Sequence, residues 1–175
     1  MTSGKPLEPA TGPVIRRATA ADLPGIGRLG GLLVEEHHDF DPRRFLGARR
    51  QTPADYASFI SAQLEDSDGA VLVADDDGDV IGYAYSVIDG YDFLALRGPA
   101  GILHDIIVDP TYRGRGVGRR LLHETLAYLK SRGAPRVVLS TAVQNGPAQR
   151  LFASAGFRPT MIEMTRELDE PTLPE

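Results

Sequence analysis

Apolar residues recur at helical spacing in four stretches of the chain, and strand-like runs separate them. Leu23, Ile26, Leu29 and Leu33 follow Thr19-Ala20-Ala21-Asp22, a helix entry in which the acidic side chain three residues after the threonine satisfies free N–H groups. Tyr56, Phe59, Ile60 and Leu64 follow Thr52-Pro53-Ala54-Asp55, where proline takes the first helical position and its missing N–H costs nothing. Val117, Leu121, Leu122, Leu126 and Leu129 form a third stripe ending near Gly133. A short fourth helix is predicted over about 147–155, with Gly156 suited to the left-handed position after it. Residues 14–17, 70–74, 80–88, 101–108, 136–143 and 157–168 read as strands, the second and third joined by the acidic turn at 75–79.

This order contains one β-α-β crossover joined to antiparallel hairpins. It predicts a single mixed α/β domain: a mostly antiparallel sheet of six to seven strands, with helices on both faces. Residues 1–13 carry Gly4, Pro6, Pro9, Gly12 and Pro13 and are expected to form a flexible tail. The domain is expected over 14–168, and 169–175 as a second tail.

At 175 residues the chain suits one domain. Such a domain buries about two thirds of the surface its unfolded chain exposes, so it requires neither disulfides nor a structural metal. The sequence has no cysteine, which excludes thiolate catalysis and Cys-ligated zinc. No apolar run approaches the roughly 20 residues that span a bilayer, and residues 1–13 lack the apolar stretch of a secretion signal. A cytoplasmic protein without a membrane partner is the expectation. The net charge of −5 argues against non-specific nucleic-acid binding, which depends on Lys and Arg neutralising phosphates.

One local basic cluster changes that picture. The run Ile106-Ile107-Val108-Asp109-Pro110-Thr111-Tyr112-Arg113-Gly114-Arg115-Gly116-Val117-Gly118-Arg119-Arg120 reads strand, tight loop, helix. Its glycines let backbone N–H groups approach a ligand, and those groups open a helix whose dipole favours an anion. The chemistry asks for a phosphate or diphosphate. A P-loop would need Lys-Ser/Thr after the last glycine, and a dinucleotide fingerprint would need Gly-x-Gly-x-x-Gly. Neither fits, whereas a glycine-rich turn with solvated arginines remains a plain alternative.

The segment 113–118 resembles the hallmark of the GNAT family of N-acetyltransferases: Arg or Gln, two residues, Gly, one residue, then Gly or Ala. A second family element is similar to Asn145-Gly146-Pro147-Ala148-Gln149-Arg150-Leu151-Phe152-Ala153-Ser154-Ala155-Gly156-Phe157. The resemblance runs from about residue 14 to 168 and implies an acetyl-CoA-dependent enzyme. The implied acceptor is a primary amine of a small molecule, amino acid or protein, attacking directly in a ternary complex without a metal. It also implies that Arg113, Gly114, Arg115, Gly116, Val117, Gly118 and Arg119 surround the diphosphate of CoA. The pantetheine arm would then lie between two diverging strands, against Ile106, Ile107, Val108, Asn145, Ala148 and Phe152. In that picture the Val108 N–H polarises the thioester carbonyl, because negative charge collects on its oxygen as the amine attacks. Homodimers are common in the family.

Attack by an amine needs a base, since the amine is mostly protonated at neutral pH. His104 and Asp105 interrupt the strand just before the loop and are the candidates, His104 foremost. Strict alternation would place them on opposite faces, so that only one points at the acceptor. Many relatives carry a general-acid tyrosine where this chain has Phe152, which cannot donate a proton. A CoA-binding sensor without turnover is therefore the alternative. Glu35, Glu36, His38 and Phe40 are candidates for the acceptor side, and Tyr83 and Tyr85 share one strand face that lines either the acceptor site or the core. His37-His38-Asp39 does not suit a metal, because adjacent helical residues point about 100° apart. The aspartates at 75, 77 and 79 lack the glycine and glutamate of a calcium loop.

Overall fold

The computed structural model describes residues 12–168. The expected tail at 169–175, and all but Gly12 and Pro13 of the expected tail at 1–13, lie outside the described residues. In chain order the elements are β1 (Val14–Arg17), α1 (Leu23–Phe40), α2 (Thr52–Leu64), β2 (Gly69–Asp76), β3 (Asp79–Asp89), β4 (Ala100–Val108), α3 (Val117–Ser131), β5 (Val137–Leu139) and α4 (Gly146–Ser154). The sheet order is β1-β2-β3-β4-β5, antiparallel throughout except for the parallel pair β4 and β5.

Local chemistry accounts for the element ends. The Asp22 carboxylate accepts the N–H of Thr19 at 2.7 Å and is held by both terminal nitrogens of Arg16 at 2.8 Å. The Arg16 guanidinium holds Asp22 well below the usual carboxylate range, at about 2. At the β2–β3 turn, Asp77 and Gly78 take positive φ and Asp75 accepts the Gly78 N–H at 2.7 Å, the geometry of a tight hairpin.

Two apolar clusters sandwich the sheet. Ile26, Leu29 and Ile60 of α1 and α2 pack on Val71, Val73, Tyr83, Tyr85 and Ile107. On the other face Val117, Leu121, Leu122 and Phe152 of α3 and α4 pack on Leu72, Ala84, Leu103 and Val108. Burying each large side chain contributes about 1.5–3 kcal/mol. Helix α1 carries glycines that each cost about 1 kcal/mol in a helix interior. They let α2 approach closely: a Cβ on Gly27 would lie 2.3 Å from the Pro53 carbonyl oxygen, and one on Gly30 2.1 Å from Cδ1 of Tyr56.

The sheet of the described residues has five strands, not the six to seven expected. Residues 157–168, expected to close it, form no strand. Pro159 removes a ladder donor from this segment, and its acidic groups engage the α1–α2 loop instead: Glu163 pairs with Arg44, and Glu167 with Arg43 at 3.6 Å. The run expected over 136–143 is also shorter, pairing with β4 only at Val137–Leu139.

Candidate active site

Strand β4 changes character at a single residue. Tyr85 pairs with Asp105 but Ser86 pairs with Leu103, so His104 is a surplus residue, a β-bulge. Before it, Leu103 faces the α3 side and Gly101 to Leu103 pair with β5; after it, Ile107 and Asp105 face α1 and α2. The bulge therefore overturns the alternation expected from sequence. His104 stacks on Tyr85 with ring centroids 5.2 Å apart, while Asp105 accepts from Tyr83, so both candidates point to the same face of the sheet.

The backbone is re-phased in the same way. The Asp109 N–H donates to Ile81 at 2.8 Å, which makes Gly82 and Val108 a non-hydrogen-bonded pair. The N–H and C=O of Val108, and those of Ile106, are thus directed away from β3, toward the side β5 has left after Leu139. The parallel pairing of β4 with β5 ends at Leu103 and Leu139. Ile107 turns the other way: its peptide faces β3 and its side chain is buried against α1 and α2.

The glycine loop ends beside this opening. Gly114 and Gly116 have φ of 76° and 83°, with open space where a Cβ would sit. Gly116 is the left-handed N-cap of α3, and no side chain caps the helix, so its first N–H groups stay available to a ligand. A Cβ on Gly118 would lie 3.6 Å from both Val108 and Leu151, so the loop, the end of β4 and α4 converge. Arg115, Arg119 and Arg120 are exposed, Arg115 lying over the Tyr112 ring. The Arg113 side chain is engaged elsewhere: Nε donates to the Val108 carbonyl at 2.9 Å, and the guanidinium pairs with Glu36 of α1.

On α4, Asn145 accepts the Ala148 N–H at 3.1 Å and so caps the helix beside the opening. Ala148 is half-buried, and Phe152 is buried with its ring edge-on to Phe157.

The α1–α2 side of the bulge holds a cluster of tyrosines and histidines around one carboxylate. The hydroxyls of Tyr56 and Tyr83 both donate to Oδ2 of Asp105. Burial pushes the Asp105 carboxyl above its ordinary range, opposed by those two hydrogen bonds and by His104 and His37 nearby. Burial and the neighbouring carboxylate also push both tyrosine hydroxyls up, so they remain donors. Tyr85 donates to Gln63 at 2.8 Å. Of the acceptor-side candidates, Glu36 pairs with Arg113 and His38 meets the Phe45 carbonyl at 3.2 Å. Sequence reasoning missed the meeting of Tyr56 with Asp105; the glycine row of α1, opposite Tyr56, was the available signal. Among the described residues no three His, Cys, Asp or Glu side chains gather to hold a metal, and no helix is long and apolar enough to cross a membrane.

A glycine-lined helix start beside two splayed parallel strands, with a backbone donor turned into the opening, defines an acyltransferase domain. Residues 33–157 match the acetyltransferase (GNAT) family, and the chain belongs to it. It is similar to a mycothiol acetyltransferase of Acidothermus cellulolyticus, 38% identical over 101 residues, 53% of this chain but 31% of that protein. An uncharacterised N-acetyltransferase of Archaeoglobus fulgidus is 28% identical over 144 residues, 82% of this chain and 92% of that one. Among solved structures, a tetramutant of the BH1408 protein from Bacillus halodurans superposes with a TM-score of 0.77 at 25% identity, covering 89% of this chain and 99% of that one. The aminoglycoside N-acetyltransferase AAC(6')-Iy in complex with CoA shares the fold, with a TM-score of 0.67 at 20% identity over 89% and 94% of the two chains.

Proposed function

We propose that this chain transfers the acetyl group of acetyl-CoA to a primary amine of a small molecule, amino acid or protein in a ternary complex. The observation that carries the reading is the Val108 N–H, directed into the gap between β4 and β5 beside the uncapped start of α3. Backbone N–H groups of 114–118 would receive the diphosphate, with Arg115 and Arg119 adding charge. Arg113 fastens the loop to Glu36 and to the Val108 carbonyl. The pantetheine would pass Ile106, Val108, Asn145, Ala148 and Phe152. The Val108 N–H would donate to the thioester oxygen and stabilise the charge that develops there.

In the reaction, a base at the β4 bulge, His104 or Asp105, removes one proton from the acceptor ammonium. The freed nitrogen attacks the carbonyl carbon, the C–N bond forms, the C–S bond breaks and CoA leaves as the thiolate, with the second nitrogen proton passing to solvent. A thiol of pKa about 8.5 is a tolerable leaving group without a general acid, which reconciles turnover with Phe152. The names of relatives, mycothiol acetyltransferase above all, favour a small-molecule acceptor. The reading assigns no nucleic-acid, membrane or metal partner; a homodimer is expected from the family and is measured by light scattering.

Protein mixed with acetyl-CoA, an amine panel and a thiol-reactive dye should release CoA only when a suitable amine is present. Saturable CoA binding without release across the panel would instead mark a sensor.

A further inference from the structure

We propose that Tyr56 of α2 and Tyr83 of β3 are positioning residues that clamp one oxygen of the Asp105 carboxylate, leaving the other to take the proton of the acceptor ammonium. The inference rests on the acetyl-transfer reading and assigns the base within it. Both hydroxyls donate to the same atom, Oδ2, the Tyr83 bond measuring 3.3 Å. Neither reaches Oδ1. Among the described residues the one buried side-chain oxygen or nitrogen without a partner is Oγ of Ser86, so Oδ1 of the half-buried Asp105 is reached by solvent. Two donors on one oxygen fix the rotation of the carboxylate and leave its other oxygen without a protein partner.

The clamp is built from distant parts of the chain. Tyr83 is fully buried, so its hydroxyl has no solvent alternative to Asp105 and Tyr56. The Tyr56 ring reaches the strand by lying against α1 where Gly30 has no side chain. The groups facing Asp105 are Tyr56 from α2, His37 from α1, Tyr83 and Tyr85 from β3, and its neighbour His104. Burial raises its affinity for a proton and the two hydroxyls restrain that rise, keeping the carboxylate available as a base. In the step itself an N–H bond of the ammonium breaks, the proton moves to Oδ1 and the electron pair stays on nitrogen for attack. The resulting neutral acid still accepts both tyrosine hydrogen bonds at Oδ2.

The test uses Tyr56→Phe and Tyr83→Phe, which keep the rings and remove the hydroxyls. Carboxyl-13C NMR of aspartate-labelled protein, with the Asp105 signal identified by its loss in Asp105→Asn, reads the titration directly. Removing a donor to the charged form should move the Asp105 midpoint upward by about one pH unit. The acid limb of kcat/KM should move up with it, because the base works deprotonated, while CoA affinity by calorimetry stays unchanged. Tyr83→Phe should shift the midpoint in the same direction, and it carries the readout if Tyr56→Phe does not fold. A midpoint and acid limb that stay in place in the folded variants overturn the proposal. Intact amine-dependent CoA release in Asp105→Asn removes Asp105 as the base while leaving acetyl transfer standing. Absence of release by wild-type protein across the panel sinks the acetyl-transfer reading, and with it the assigned base; the NMR midpoint then decides the clamp alone.

Discussion

The two halves of β4 do opposite work. Up to Leu103 the strand is bonded on both edges and its side chains are nearly all apolar; beyond His104 it keeps only its β3 partner and carries Asp105 inward. The first half is a wall of the core, and the second presents peptide groups to one side and a carboxylate to the other. The difference teaches that one surplus residue and the early end of a neighbour can give a continuous strand a closed half and an open one.

Substitutions should separate the halves. The largest effect is expected from Asp105→Asn, which should lower kcat/KM by about 10²–10⁴-fold, the usual contribution of a general base. The same change should raise Tm at neutral pH. Burial raises the folded-state pKa of Asp105 above its unfolded value, so the wild-type group is best tolerated protonated, and stability falls as pH rises through the folded value. Melts of the two proteins should converge in acid and diverge above it. Next comes Leu103→Ala, which opens a hole in the closed half; chemical denaturation should show a loss of about 2–5 kcal/mol. A smaller stability cost, about 1–2 kcal/mol, is expected for Gly116→Ala, since its φ of 83° disfavours any Cβ although the space is empty. Calorimetry on that variant should also show weaker CoA binding, which links the loop to the open half.

Much of this was legible in the sequence because it is local. The Thr19 to Asp22 turn, Pro53 at the start of α2, the Asp77-Gly78 turn and the glycine loop each depend on residues within a few positions of one another. The bulge was not legible, because it is a one-residue offset between strands about twenty residues apart, and nothing in β4 alone announces it. Tyr56 read as one more apolar position on α2; its hydroxyl meets Asp105 only because Gly27 and Gly30 let two helices close up. Residues 157–168 have a strand-like composition, yet composition does not supply a partner edge, and Arg43 and Arg44 draw their carboxylates away.

The surplus residue at 104 also makes β4 far more sensitive to its length than to its spelling. Exchanging one aliphatic side chain for another in 106–108 changes a local fit. Losing His104 would close the bulge and leave Leu103 and Asp105 opposite Ser86 and Tyr85 as they stand, whereas losing Ile106 or Ile107 could be absorbed only by drawing Asp105 opposite Ala84, toward Leu121 and Leu122. Natural or engineered variation along this stretch should therefore proceed by replacement, with its residue count held constant.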